Sequence, residues 1–186
     1  MKIMRVTCIL LLMGLLACQT KPGISPESYQ KFQKEGDAIT SQVQGVLLSN
    51  VAGAIQKGGT EHAVEFCNIK ATTLVDSLSQ AFSCNISRVS DRNRNPENTL
   101  NKTEAELWKL FAKNPQADTL LKVNNKITYY KRINTAMPAC LKCHGDPVND
   151  INGATLEKIQ TLYPQDLATG YKLNDFRGLW KVEFTD

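Results

Sequence analysis

The chain has 186 residues, of which 42% are hydrophobic, 22% charged and 7% aromatic. That balance excludes collagen-like, low-complexity and wholly disordered chains, and the length suits one domain able to bury roughly 70% of its unfolded surface. The formal net charge is +4, about +2 once Lys2 and Arg5 are assigned to a leader, which is too small for a nucleic-acid-binding protein.

Residues 1–17 read as a signal peptide of the lipoprotein type. Lys2 and Arg5 give a positive start. Val6 to Leu16 is an apolar run of eleven residues, about 16 Å as a helix and half the hydrocarbon thickness of a bilayer. It ends in Leu15-Leu16-Ala17-Cys18, which resembles the bacterial lipobox, where the Cys is acylated. Cys18 is then the lipidated N-terminus, and residues 18–26, with Pro22, Gly23 and Pro26, form a tether. The expectation is an exported protein on the periplasmic side of a bacterium, held to the membrane by lipid. Gln19, not being Asp, points to the outer membrane rather than the inner.

The remainder, 27–186, reads as one domain. Phe32, Ile39, Val43, Val46, Leu47, Val51, Ala54 and Ile55 recur at helical spacing and predict a long helix over Glu27 to Lys57, stopped by Gly58-Gly59. Thr60 can cap a second helix reaching Phe82, with Val64, Cys67, Ala71, Leu74, Val75 and Leu78 on its apolar stripe. Cys84 to Val89 reads as a strand, and Asp91 to Thr99 as an Asn-rich loop. Thr103 with Glu106 reads as a capping box ahead of Leu107, Trp108, Leu110 and Phe111, in a helix closed by Pro115. Leu120 to Asn134 reads as a hairpin turning at Asn124-Asn125; a loop with one or two short helices fills 136–170; Leu179 to Phe184 is a last strand. The class is α+β, with helices segregated from an antiparallel sheet.

Cys140-Leu141-Lys142-Cys143-His144 is Cys-x-x-Cys-His, the signature of covalent haem c attachment. In one helical turn two thiols reach the two vinyl groups on a porphyrin edge, and the next residue aims its imidazole at the iron. A thioredoxin-like disulfide would place Cys-x-x-Cys early, after a first strand. A structural zinc site would need a second ligand pair, which the sequence lacks. An exported chain is in the compartment where attachment is feasible. Cys140 and Cys143 are therefore the expected thioether positions and His144 the proximal iron ligand, for one covalent haem c.

The opposite face of the iron is less constrained. No Met follows His144, and Met137, three residues before Cys140, is poorly placed to wrap around. The other histidine, His62, lies five residues before Cys67, about 140° around the helix, and off the apolar stripe. Cys67 lies on the stripe, where it can be a core filler, a disulfide partner of Cys84 or an iron ligand. Spacing leaves these open. Arg88, Arg92 and Arg94 are either part of a solvated turn or cations for haem propionates, which need positive partners when buried. Tyr129, Tyr130, Tyr171 and Trp180 read as packing groups.

The segments Ala63-Val64-Glu65-Phe66-Cys67 with Ala71, Arg88-Val89-Ser90, Arg94-Asn95-Pro96 with Asn98, Tyr130, Cys140 to Gly145, Tyr163-Pro164 with Asp166, Gly170-Tyr171 and Arg177-Gly178 carry a resemblance. From about residue 38 onward the chain resembles the haem c-binding, PAS-like domain family of bacterial sensors and standalone monohaem cytochromes. It departs from that pattern at Val89, where Thr is usual, at Asn174, where Gly is usual, and after Asn98, where no Pro follows. The resemblance implies a PAS-like antiparallel sheet flanked by helices, and a helix Cys, here Cys67, as distal ligand giving His/Cys ligation. Together with the leader and the haem motif, the expected function is a lipid-anchored monohaem cytochrome in electron transfer or redox sensing; no obvious general acid or base accompanies the one haem, so no enzymatic role is expected. The alternative is a diatomic-gas or redox sensor module whose distal ligand is displaced. With no kinase or cyclase segment following, a separate redox or signalling protein is the expected partner.

Overall fold

The computed structural model describes residues 23–114, 117–123 and 125–185. The leader, Cys18, Pro115 and Asn124 lie outside them. Helix α1 (Pro26–Ile69) starts where Ser25 accepts a hydrogen bond from the Ser28 N–H and Pro26 occupies the first turn. Gly58 and Gly59 both leave helical geometry, so the first helical run stops there as the spacing predicts, and two runs meet at a kink. Gly59 takes φ +74°, the left-handed region glycine reaches without a Cβ penalty, and Thr60–Ile69 continues in a new direction. The second helix does not run unbroken to Phe82 as the spacing predicts. The chain breaks at Lys70, and α2 is Ala71–Ala81. Thr60, the expected cap, is buried and bonded to the Thr155 hydroxyl at 2.5 Å, which fastens the bent segment to a later helix.

Four antiparallel strands follow: β1 (Cys84–Val89), β2 (Asp118–Val123), β3 (Lys126–Asn134) and β4 (Phe176–Phe184), in the order β1-β4-β3-β2. The last strand is therefore central, pairing Arg88 with Trp180 on one side and Tyr129 with Val182 on the other. Asn125, at φ +67°, makes the turn between β2 and β3. Helix α3 (Lys102–Lys113) starts two residues earlier than Thr103 and Glu106 suggest. The capping box is Asn101 with Glu104: the Asn101 side chain accepts from the Glu104 N–H, and Glu104 accepts from the Asn101 N–H. Glu104 wins because burial at 2% exposure and an ion pair with Lys181 at 3.0 Å hold it there, whereas Glu106 stays at the surface with Lys109. Helices α4 (Pro138–His144) and α5 (Gly153–Leu162) occupy the connection between β3 and β4.

Strand alternation distributes side chains to the two faces of the sheet. Tyr129, Trp180, Val182 and Ile86 pack with Ile39, Val43 and Leu47 of α1 and Val75 of α2. Tyr130, Leu179 and Val89 pack with Leu107 and Phe111 of α3. A third, smaller cluster of Val64, Ile151 and Ile159 includes Cys143 and Tyr163, and it joins the bent end of α1 to α4 and α5.

Candidate functional site

The motif helix α4 is short because Pro138 opens it and Gly145 closes it, with the Gly145 N–H on the Leu141 carbonyl. A Cβ on Gly145 would lie 2.6 Å from both that carbonyl and the Asp150 side chain, so the chain leaves the helix in a turn only glycine fits. His144 is thus the last helical residue. Its Nδ1 lies 2.8 Å from the Ala168 carbonyl oxygen, and since a carbonyl only accepts, Nδ1 carries the proton. Nε2 is left with its lone pair. Burial holds the His144 ring well below the ordinary imidazole range, with Arg94, Arg177 and Arg88 acting the same way against the Ala168 bond. The ring is neutral at pH 7 and available to a metal.

Ala168 sits on a strap, residues 166–171, lying between the Arg-Asn loop and α4. The Gly170 and Tyr171 N–H groups donate to the Gly145 and His144 carbonyls at 2.6 and 2.9 Å, and the Leu167 N–H to Asn93 at 3.1 Å. Arg92 donates to the Leu167 and Thr169 carbonyls and stacks on the Tyr171 ring at 4.0 Å. Arg94 grips Asp166 with two bonds, 2.9 and 3.1 Å, and reaches the Cys143 carbonyl at 2.7 Å. Tyr171 stands edge-on to His144, with ring centres 6.5 Å apart.

The sequence-predicted positions separate into those at this site and those away from it. Cys140, Cys143, His144 and Cys67 are all half-buried, and the three thiols are free. Burial pushes Cys143 up to about 11, with Cys67 and Cys140 adding to the rise and Arg94 opposing it. Burial likewise raises Cys67, opposed by the charges of Arg88 and Arg94. Cys67 therefore shares the surroundings of the motif. His62 does not: its side chain is 47% exposed and turned toward Glu65 at 3.8 Å. Met137 caps α4 and is exposed. Cys84 is free and packed in the α1–α2 core, so it is a core filler and not a disulfide partner of Cys67.

Arg88 and Arg94 both lie at the site, and Arg177 of β4, given no role by sequence reasoning, joins them. Burial draws Arg177 down to about 10, with Arg94 and Arg88 adding to the shift, and its Nε is buried without a partner. Asp166 pairs with Arg94, but neither Arg88 nor Arg177 has a carboxylate partner among the described residues. The only trace of Arg177 in the sequence was its place in the Arg177-Gly178 pair. Its use depends on β4 lying beside β1, where its Nη1 also meets Ser90 at 3.1 Å.

These residues fit a haem with two propionates. The site has two half-buried thiols and a neutral imidazole on one helix, a third thiol facing them, and two guanidiniums lacking counter-charges. A buried surplus of positive charge is costly unless an anion meets it.

The fold and the site together define an α+β domain, a four-stranded antiparallel sheet with a long kinked N-terminal helix, in which a Cys-x-x-Cys-His helix is strapped to the Arg-Asn loop that follows β1. The chain belongs to the Tll0287-like family, whose model matches residues 24–185. It is similar to a solved structure described as the cyanobacterial heme-protein Tll0287, with 19% identity and a TM-score of 0.65, over 84% of this chain and 96% of that one. This likeness supports the expected fold, an α+β arrangement with a long N-terminal helix. Among curated proteins none matches.

Proposed function

We propose that the protein is a monohaem c-type cytochrome acting in electron transfer or redox sensing, with no enzymatic activity of its own. The observation that carries this reading is the His144 geometry: its Nδ1 proton is committed to Ala168, leaving Nε2 for the iron of a haem whose porphyrin Cys140 and Cys143 would anchor through thioethers. Bound haem supplies a one-electron Fe(III)/Fe(II) couple. On this reading Cys67 would supply a second ligand as a thiolate and Arg88 and Arg177 would neutralise the propionates, whereas Arg94, whose charge is met by Asp166, would hold the strap. The cyanobacterial relative is described as a heme-protein, which supports haem binding here.

Export and lipidation at Cys18 belong to the same proposal, since thioether formation on two exported thiols suits the periplasmic side. Cys18→Ala should release the protein from the membrane fraction. Unchanged fractionation means another anchor.

The test is attachment. Protein in alkaline pyridine should show a c-type haemochrome, and haem should stay on the polypeptide through acid–acetone extraction, with one haem per chain. Loss of all haem in that extraction overturns the reading. A sensor role for the same site is favoured by one observation, the upward push that burial gives Cys67. A thiol so disposed readily takes a proton once the positive charge beside it falls. Binding of carbon monoxide by the reduced protein alone supports that role.

A further inference from the structure

We propose that Arg94 and Asp166 are positioning residues: as a buried clamp they set, through the Ala168 carbonyl, which ring nitrogen of His144 faces the haem and how strongly it donates. The inference rests on the haem reading above for its consequence, while its geometry stands in the chain alone.

The strap bearing Ala168 belongs to no helix or strand; backbone bonds from Leu167, Gly170 and Tyr171 hold it on either side, and at Ala168 itself the partners are side chains. Asp166 holds Ala168 from one end, its Oδ1 accepting the Ala168 N–H at 3.1 Å. Arg94 does so from above. Its Nη2 lies 3.4 Å from the Ala168 oxygen and 2.7 Å from the oxygen of Cys143, the residue immediately before His144. One guanidinium thus spans the backbone leading into the ligand and the carbonyl that the ligand's ring touches. The Arg94–Asp166 fork, with side chains only 13% and 7% exposed, keeps that guanidinium in place. Nε and Nη2 of Arg94 are thereby both spent on protein atoms, whereas the buried Nε of Arg177 has no partner.

Two consequences follow from hydrogen-bond chemistry. A carbonyl shared with a cation is a weaker acceptor, so the His144 N–H is held with less electron transfer into the ring than an unshared carbonyl would give. And lysine, a point donor without a planar fork, cannot occupy all these contacts while keeping the same charge. Charge and positioning are therefore separable by one substitution.

The experiment compares wild type, Arg94→Lys, Asp166→Asn and Arg88→Lys, each as haem-loaded and haem-free full chain. In the haem-free chain, nitrogen-15 NMR of the His144 ring at fixed neutral pH should report a single Nδ1–H tautomer for wild type and Arg88→Lys. Arg94→Lys and Asp166→Asn should lose that single-tautomer pattern. In the haem-loaded protein Arg94→Lys should broaden the ferric EPR lines, as ligand orientation spreads, and shift the reduction potential although charge is conserved. Wild-type tautomer and line width in Arg94→Lys overturn the clamp, as does an equal disturbance from Arg88→Lys. Should Arg94→Lys not fold, the nearly isosteric Asp166→Asn decides on the same readouts. A wild-type chain that carries no haem overturns the cytochrome reading, and the haem-free NMR comparison then still decides the clamp.

Discussion

Cys67 shows how one side chain's role depends on what surrounds it. A thiol on a helix stripe is by default a small buried hydrophobe. Here it stands where Arg88 and Arg94 favour its thiolate and burial opposes it, beside Cys143. On the proposed reading Cys67→Ser turns the ferric haem high-spin or water-ligated and leaves the thioethers intact, as an absorption and EPR comparison will register. Cys84→Ser and His62→Ala, both away from the site, should leave the spectrum as in wild type. A wild-type spectrum in Cys67→Ser together with an altered one in His62→Ala would falsify thiolate ligation in favour of bis-histidine.

At the scale of the element, α1 is a helix with two different contracts along its length. Its first part lies on the sheet so closely that a Cβ added at Gly36 would come within 2.3 Å of the Tyr129 ring, a fully buried side chain. Its last part, beyond the Gly58-Gly59 bend, leaves the sheet and brings Cys67 toward α4 and α5. Gly36→Ala should therefore lower stability by about 1–3 kcal/mol through overpacking, against a helix-propensity gain of about 1 kcal/mol. Gly45→Ala, in the same helix with nothing within 4 Å of the added methyl, should raise it by about 0.5–1 kcal/mol. Urea midpoints of the two variants check both signs. Equal shifts in one direction would mean that propensity, not the close approach to Tyr129, governs this helix.

At the scale of the whole molecule, the described residues form two cores on opposite faces of one sheet and a third, smaller cluster beside α5, and neighbouring residues of β3 report on the first two. Tyr129 belongs to the α1–α2 side and Tyr130 to the α3 side. Burial holds both phenols well above the ordinary value of 10; Asp118 and Asp37 add to the shift of Tyr129, and Glu104 to that of Tyr130. In the unfolded chain the phenols ionise near 10, so above that pH the unfolded state carries fewer protons than the folded state. Stability is then fully present below about pH 10 and declines as pH rises, by up to about 1.4 kcal/mol per pH unit for each phenol. Lys181, raised through its bonds with Glu104 against the effect of burial, acts in the same direction, while Arg177, drawn down to about 10, offsets part of the loss. Denaturant melts between pH 8 and 11.5 should show this decline, and Tyr130→Phe should make it shallower. A slope untouched by Tyr130→Phe would place the alkaline sensitivity elsewhere.

Much of this protein is legible along the chain because its signals are local. The helical stripe of α1, the strand Cys84–Val89, the hairpin ending at Asn134 and the Cys140–His144 motif depend on spacings of a few residues, which sequence displays directly. The sequence misplaced what local signals leave degenerate. Two overlapping capping boxes precede Leu107, and only the burial of Glu104 against Lys181 chooses between them. Gly58-Gly59 stops the first helical run as expected, but the placement of the next run is set by the bond between Thr60 and Thr155, 95 positions apart. The site depends still more on long-range order. Arg94 meets Asp166 across 72 positions, and Arg177 reaches Ser90 across 87. Sequence thus determined the thiols, the imidazole and the kind of fold. Tertiary structure alone decided which arginines lack a counter-charge, which cysteine faces the motif and which way His144 holds its proton, because each of these is set by groups that only folding makes neighbours.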